Sequence, residues 1–392
     1  MHIVLASDQF PPFPLGGVGA RVTDLARGLV REGHAVTVAG VYPRNRGITR
    51  LIDESVEGVR VLRIPPAPQW MRWRPGALWD RYLLSSHLCR LHKQTPIDLV
   101  EFTDGLGQGF FGAPPRVPMA LRIEGSLKLF NDQMGVVGDP FTYWMEKRAL
   151  KRAHFLSATS RYAGCETLKT FRLEHRRYSV IYNAIDADLF CPGSEPADPG
   201  LIVFVNSIEP RKGVQELMVA MNDICPRYPH SRLVLIGSDT QPPVNGRSYS
   251  ESLLDKVKPE FRDRIHFAGR LDRYTGVLEY LRKAAVCCYP SRVESFGIAP
   301  LEAMAVGKPV IYCSGGPGPE LIEDGVSGLL CQPDAPHAIA DRIKRIFDDP
   351  AFARSLGQRA RERALRLFDK GPWIQRNLEY YRQCVASHRN GA

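Results

Sequence analysis

The chain has 392 residues, of which 44% are apolar and 24% charged. That length suits two domains, and the composition is that of an ordinary globular protein. Its 34 Gly and 31 Pro make up about a sixth of the chain, too few for a low-complexity or fibrous protein. Lys and Arg outnumber Asp and Glu by 52 to 42, and residues 1–190 alone hold 25 against 18. Such an excess suits nucleic acid, an anionic membrane surface or a phosphorylated substrate, or is simply a basic surface.

The longest apolar runs, such as Ala284–Pro290 and Gly328–Cys331, have strand length, short of the ~18 residues a spanning helix needs. The segment His2–Asp8 has no basic residue before its apolar stretch, unlike a signal peptide. A cytoplasmic location is therefore expected. The nine cysteines are scattered without a Cys-x-x-Cys spacing, which points to reduced, buried thiols rather than a disulfide framework or zinc site.

Along the chain, strands alternate with helices. Strands are expected at 2–7, 35–41, 59–64, 98–102, 119–123, 155–159 and 179–182, with a helix over 18–32 stopped by Gly33. The turn-rich stretch from Asp186 to Gly200 reads as a linker. The alternation then resumes, with strands at 201–205, 233–236, 265–268, 286–289 and 310–313. Helices are expected at 213–224, 275–283, 300–306, 336–348, 352–367 and 373–385, and a frayed tail over 387–392. Such alternation predicts an α/β protein with two doubly wound parallel sheets facing a cleft, and chemistry in the loops that lead from strand to helix.

Three loops of that kind stand out. The first carries Gly16, Gly17 and Gly19, a backbone that can approach an anion at a helix start. A bare turn is the plainer account. The dinucleotide fingerprint is absent, because Val22 stands where a third glycine would be. The second is Ser207–Gly213, in which Arg211 and Lys212 precede a helix and suit a pyrophosphate, or form a solvated basic turn. The third runs from Pro290 to Pro309 and holds Glu294, Gly297, Pro300 and Glu302. Here two carboxylates eight residues apart flank the 297–299 amides. They are expected to face the cleft and accept from sugar hydroxyls while the amides hold phosphate oxygens; capping by Glu302 in the first helical turn is the plainer account.

Together Glu294-Ser-Phe-Gly297 to Glu302, Arg211-Lys212-Gly213, Gly16-Gly17-Val18-Gly19 and Asn183-Ala-Ile-Asp186 resemble glycosyltransferase family 4. Its members are retaining enzymes of the GT-B fold that use nucleotide diphosphate sugars. The motifs fall in the family's order over residues 1–370.

The resemblance implies an acceptor-side domain over 1–185, a linker over 186–200 and a donor-binding domain over 201–370. Residues 371–392 would form a helix crossing back to the first domain. It also implies roles. Gly16 and Gly17 would approach the diphosphate and acceptor, Arg211 and Lys212 would neutralise the leaving diphosphate, and Glu294 would bond the donor sugar. The backbone of Phe296, Gly297, Ile298 and Ala299 would hold sugar and phosphates, Glu302 the ribose, and Gly237 and Arg270 would lie near the base.

The chain departs from the family pattern twice. Asn206-Ser207 stands where Gly-Arg is common, leaving Arg211 to supply the charge. Glu124 stands where a histidine is common, as an acceptor-side base or hydroxyl partner, or as a cap for 125–129. Two rivals remain: another GT-B activity, such as an epimerase or phosphorylase, or an inactive sugar-nucleotide-binding protein.

Asp186-Ala-Asp188 imitates a metal-binding pair but reads as a turn. No metal or other cofactor and no nucleic-acid partner is expected. Trp70, Arg72, Trp73, Arg74 and Trp79 form a segment suited to peripheral membrane contact and a lipid-linked acceptor, or a loop that packs its aromatics inward.

Overall fold

The computed structural model describes residues 1–13, 16–71, 74–243 and 245–391. Its contacts divide the chain into two units, residues 1–183 with 371–392 and residues 184–370. Residues 186–200 thus belong to the second unit.

The first unit is built on one eight-stranded sheet. Its strands are β1 (His2–Ala6), β2 (Ala35–Val41), β3 (Ile52–Val56), β4 (Val59–Ile64), β5 (Leu99–Thr103), β6 (Met119–Ile123), β7 (Phe155–Ala158) and β8 (Ser179–Val180), in the order β3-β4-β2-β1-β5-β6-β7-β8. All pairs are parallel except β3 with β4. β1, β5 and β6 are buried along their whole length, as strands covered on both faces must be. The edge strand β3 was not expected, because Asp53, Glu54 and Ser55 mask it. Only alternate residues are half-buried, and Arg60 on β4 pairs across to Asp53 at 2.7 Å.

Helices α1 (Gly17–Arg31), α2 (Arg74–Gln94), α3 (Leu127–Met134), α4 (Pro140–Arg152) and α5 (Arg161–Thr170) connect these strands. α2 begins inside the tryptophan-rich segment, so that segment is largely helix rather than a packed loop. Trp70 and Trp79 remain exposed; Arg72 and Trp73 lie outside the described residues.

The second unit has a six-stranded parallel sheet of β9 (Leu201–Val205), β10 (Arg232–Ile236), β11 (Ile265–Gly269), β12 (Val286–Tyr289), β13 (Val310–Cys313) and β14 (Leu329–Cys331), ordered β11-β10-β9-β12-β13-β14. Its helices are α6 (Val214–Ile224), α7 (Tyr249–Leu253), α8 (Leu278–Lys283), α9 (Ile298–Ala305), α10 (Gly318–Leu321), α11 (Pro336–Asp348) and α12 (Pro350–Phe368). Each unit has its own apolar core, around Val100, Leu121 and Leu88 in the first and Ile202, Leu235 and Ile339 in the second. The last helix, α13 (Lys370–Gly391), packs on the first unit. It continues to Gly391, into the stretch expected to fray, and Tyr381, Cys384 and Val385 bury one face just before that stretch.

In both sheets the strand order reverses beside the first strand of the unit: between β1 and β5, and between β9 and β12. Loops at such reversals diverge from the carboxyl ends of neighbouring strands and leave a crevice for ligand. The Gly16, Arg211-Lys212 and Glu294 loops follow β1, β9 and β12, and so all three flank a reversal.

Candidate active site

In the second unit, backbone geometry joins two of these loops. The Arg211 carbonyl accepts from the amides of Arg292 (2.8 Å) and Val293 (3.2 Å). Gly213 makes this approach feasible: its φ is 68°, and a Cβ there would lie 1.8 Å from the Pro290 carbonyl oxygen. The join brings Lys212 Nζ within 2.5 Å of Glu294 Oε2, with both side chains almost fully buried. Burial alone would raise the Glu294 carboxyl, but Lys212 and Arg211 hold it below its ordinary value. Burial also pushes the Lys212 ammonium down, and Glu294 opposes that. Glu294 is therefore an ionised carboxylate, paired with the one buried lysine of the loop.

Ser207 does not leave a gap beside Arg211. Its hydroxyl donates to Glu209 (2.7 Å), and Arg211 pairs with the same carboxylate at 2.8 Å. The charge expected of Arg211 is thus already engaged by Glu209.

Past Glu294 the chain turns at Gly297, whose φ of 102° and close approach to the Tyr312 hydroxyl exclude a side chain. Tyr312 donates to the Phe296 carbonyl at 2.9 Å and fixes the turn. α9 starts directly after it, and no side chain caps its first amides among the described residues. Such amides favour an anion. Glu302 is the fifth residue of α9, in its second turn rather than its first, so it does not cap the helix. It is buried, and its carboxylate accepts from Arg273 Nε at 2.5 Å. Arg273 also lies over the rings of Phe190 and Tyr274. Glu294 thus pairs with Lys212 and Glu302 with Arg273. Gly237 directly follows β10, donating to the Gly269 carbonyl (2.8 Å), and Arg270 follows β11, exposed. Asp186 caps a turn, accepting from the Leu189 amide at 3.2 Å and pairing with Lys370.

In the first unit, the amides of Gly16 and Gly19 both donate to Gln9 Oε1 at 3.2 Å. The helix start expected to meet an anion is therefore occupied by a side chain of its own loop. Glu124 follows β6 and is buried in an ion pair with Arg21 from α1. It does not cap the next helix: Ser126 does, accepting from Leu129 (3.1 Å), while Glu146 accepts from Leu127 and Lys128. Burial raises the Glu124 carboxyl, against Arg21 and Arg122.

Around this pair lies a cluster that the motifs did not reveal. Glu101 of β5 accepts from Arg21 (3.1 Å), from Arg122 (3.0 Å) and from Tyr381 of α13 (2.9 Å). Burial would raise its carboxyl, but the two guanidiniums hold it below the usual range. Asp104, after β5, accepts from the Glu124 amide at 2.9 Å. Burial, with the like charges of Glu146 and Glu124, pushes it up to about 8. Charges at 101 and 122 inside otherwise apolar strands were the available signal, since a strand buried on both faces tolerates a charge only when it is paired. Beside the end of β1, a cavity of about 180 Å3 is lined by Asp8, Tyr42, Asp80, Arg81 and Gln108 among others. Burial raises Asp8 and Asp80 and lowers Arg81.

Residues 189–363 match the family described as Glycosyl transferases group 1, and residues 15–189 match Glycosyltransferase Family 4. The glycogen synthase of Mycobacterium tuberculosis is 25% identical over 94% of this chain and 91% of its own length. A D-inositol 3-phosphate glycosyltransferase of Kineococcus radiotolerans is 27% identical over 94% and 91%. Among solved structures, the sucrose-phosphate synthase of Thermosynechococcus elongatus superposes with a TM-score of 0.82 at 24% identity, covering 98% of this chain and 99% of that one. The Anabaena HepE protein in complex with UDP-glucose gives 0.75 at 19%, covering 98% and 100%.

Proposed function

The chain belongs to the family 4 type of glycosyltransferases, with the GT-B fold and a nucleotide sugar as donor, and from that premise we propose that it moves a hexose to an acceptor hydroxyl with retention. The product would be a polysaccharide, glycolipid or glycoside. The observation that carries this reading is the buried Lys212–Glu294 pair where the β9 and β12 loops join.

In this reading the donor diphosphate lies on the uncapped amides of α9 and beside Lys212 and Arg211. Charge develops on the diphosphate as the glycosidic bond breaks, and a cation fixed beforehand stabilises it without reorganising. No metal is required for that role. When the donor sugar enters, its hydroxyls donate to Glu294, which Lys212 keeps ionised. Glu302, held by Arg273, accepts from the ribose hydroxyls. The base lies towards Gly237 and Arg270. Gly16 and Gly17 approach the diphosphate once Gln9 releases the amides of Gly16 and Gly19. The first unit serves the acceptor, with Glu124 aligned by Arg21 to accept from an acceptor hydroxyl. UDP-glucose in the Anabaena neighbour and the glucan and inositol phosphate chemistry in the relatives' names support a hexosyl donor and a polyhydroxylated acceptor.

The test uses a panel of nucleotide diphosphate hexoses, reading nucleoside diphosphate release and the anomeric configuration of the product. Lys212→Ala is expected to lower turnover by ~10²-fold or more, the scale of one lost preorganised donor, with a smaller change in donor affinity. Lys212→Arg should restore part of it. Turnover that holds in Lys212→Ala while only KM rises would make Lys212 a ground-state anchor. An inverted product would remove retention from the reading.

A further inference from the structure

A second surface of the first unit is not used by this chemistry. Phe141 and Trp144 of α4, Phe110 and Phe111 of the loop after β5, and Tyr82 and Trp79 of α2 form an unbroken series of ring contacts. Successive centroids lie 5.5, 4.8, 4.9, 6.0 and 5.4 Å apart. Trp144 and Tyr82 are each 48% exposed, and the loop between α3 and α4 carries Val137 at 98% exposure. Asp139, two residues on, pairs with Arg74 at 3.2 Å, and Arg74 lies over Phe141. The loop tip, the start of α2 and α4 therefore share one face.

A face this apolar on a folded chain marks something that covers it. We propose that it docks on an anionic lipid bilayer, with Val137 and the Trp and Tyr rings entering the headgroup boundary. Charge favours that occupant. Arg148 lies over Phe110, and Arg152 borders Gly112 beside Phe111. Asp139 and Asp132 are already paired with Arg74 and Lys128, and the acids within α2 and α4, Asp80 and Glu146, accept from the backbone amides of Ala67 and of Leu106, Leu127 and Lys128. The face therefore carries a positive excess. Trp and Tyr with basic neighbours suit a headgroup boundary. A glycan fits less well. Sugars stack on flat ring faces, whereas Phe110–Phe111, Phe110–Trp144 and Tyr82–Phe111 meet edge to face at 78°, 61° and 79°. An exposed valine at a loop tip offers a sugar nothing.

Flotation of the full chain with phosphatidylcholine vesicles, with and without phosphatidylglycerol, tests this. The chain is expected to float with the anionic vesicles, less at high salt, and Trp fluorescence to shift to the blue. Val137→Asp, at a fully exposed site, should lower partitioning by about tenfold, as a charge is driven into the boundary region. Arg148→Glu should lower it by at least fivefold, about the effect of one basic residue at an anionic surface. Donor hydrolysis by both variants should match the parent, so this surface and the donor site are judged separately. Absence of binding to anionic vesicles, or binding that Val137→Asp leaves intact, would overturn the proposal. So would retention on immobilised glycogen in place of vesicles, which would make the face a glycan platform.

Discussion

Asp104 is fully buried among carboxylates, and its carboxyl is pushed up to about 8. It therefore keeps its proton at neutral pH, while the same residue in the unfolded chain ionises near 3.8. Below both values the two states are protonated alike and the group has no effect. As pH rises from about 4 to about 8 the unfolded state loses a proton that the folded state retains, so stability falls across that window. Asp104→Asn keeps the acceptor for the Glu124 amide but cannot ionise. At ~1.4 kcal/mol per unit, the variant should be more stable than the parent at pH 7, by at most about 4 kcal/mol. Urea unfolding of both proteins near pH 5 and near pH 8 measures this: the gap should widen with pH. Parallel profiles would place Asp104 in a wetter setting than its burial indicates. Nothing around residue 104 in the sequence announces this, because the acids that surround it come from 124 and 146.

At the scale of elements, α13 belongs to the first unit through its side chains. Tyr381 donates to Glu101 at 2.9 Å, and Asn377 accepts from Arg122 at 2.5 Å. These contacts complete a buried set in which Arg21 and Arg122 already pair with Glu101. Tyr381→Phe keeps the packed ring and removes one bond to a charged acceptor, which is worth about 1.5–3 kcal/mol. The denaturation midpoint should fall accordingly, while donor affinity stays as in the parent, because the residues proposed to hold the donor lie in the other unit. An unchanged midpoint would mean that α13 merely covers the cluster.

Elements differed in how readable they were. Strands such as β1, β9 and β12 show as apolar runs because both faces are covered, and β2, β4, β6, β9, β12 and β13 match the expected bounds. α2 was hidden by Pro75 and Gly76 at its start and by a buried stripe of only Leu84, Leu88 and Leu91. The candidate site was legible where one loop carries it, as at Glu294–Glu302. It was not legible where residues distant in the chain meet: the partner of Glu302 is Arg273, and that of Glu124 is Arg21. Spacing along one segment cannot reveal such pairs.

At the scale of the whole chain, Arg211, Lys212, Glu294, Gly297 and Glu302, the residues proposed to hold the donor, all belong to the unit formed by residues 184–370, which has a core of its own. A nucleoside diphosphate without sugar should therefore protect amides of this unit directly. Hydrogen exchange of the full chain with saturating UDP, and separately ADP, is expected to slow at 211–213 and 297–302. A ligand that binds only the folded state adds about 2.7 kcal/mol at a hundred times its Kd, so the melting temperature should rise with ligand concentration. The two readouts separate the roles of the carboxylates. Glu302→Ala removes the proposed acceptor for the ribose hydroxyls and releases Arg273, so both protection and thermal shift should weaken, by about 1.5–3 kcal/mol of binding. In Glu294→Gln the carboxylate proposed to face the sugar loses its charge; on that proposal a nucleotide without sugar does not meet it, and protection by UDP or ADP should survive. Equal loss in both variants would mean that the two glutamates act as one unit. Protection confined to residues 1–183 would move the nucleotide out of the second unit altogether.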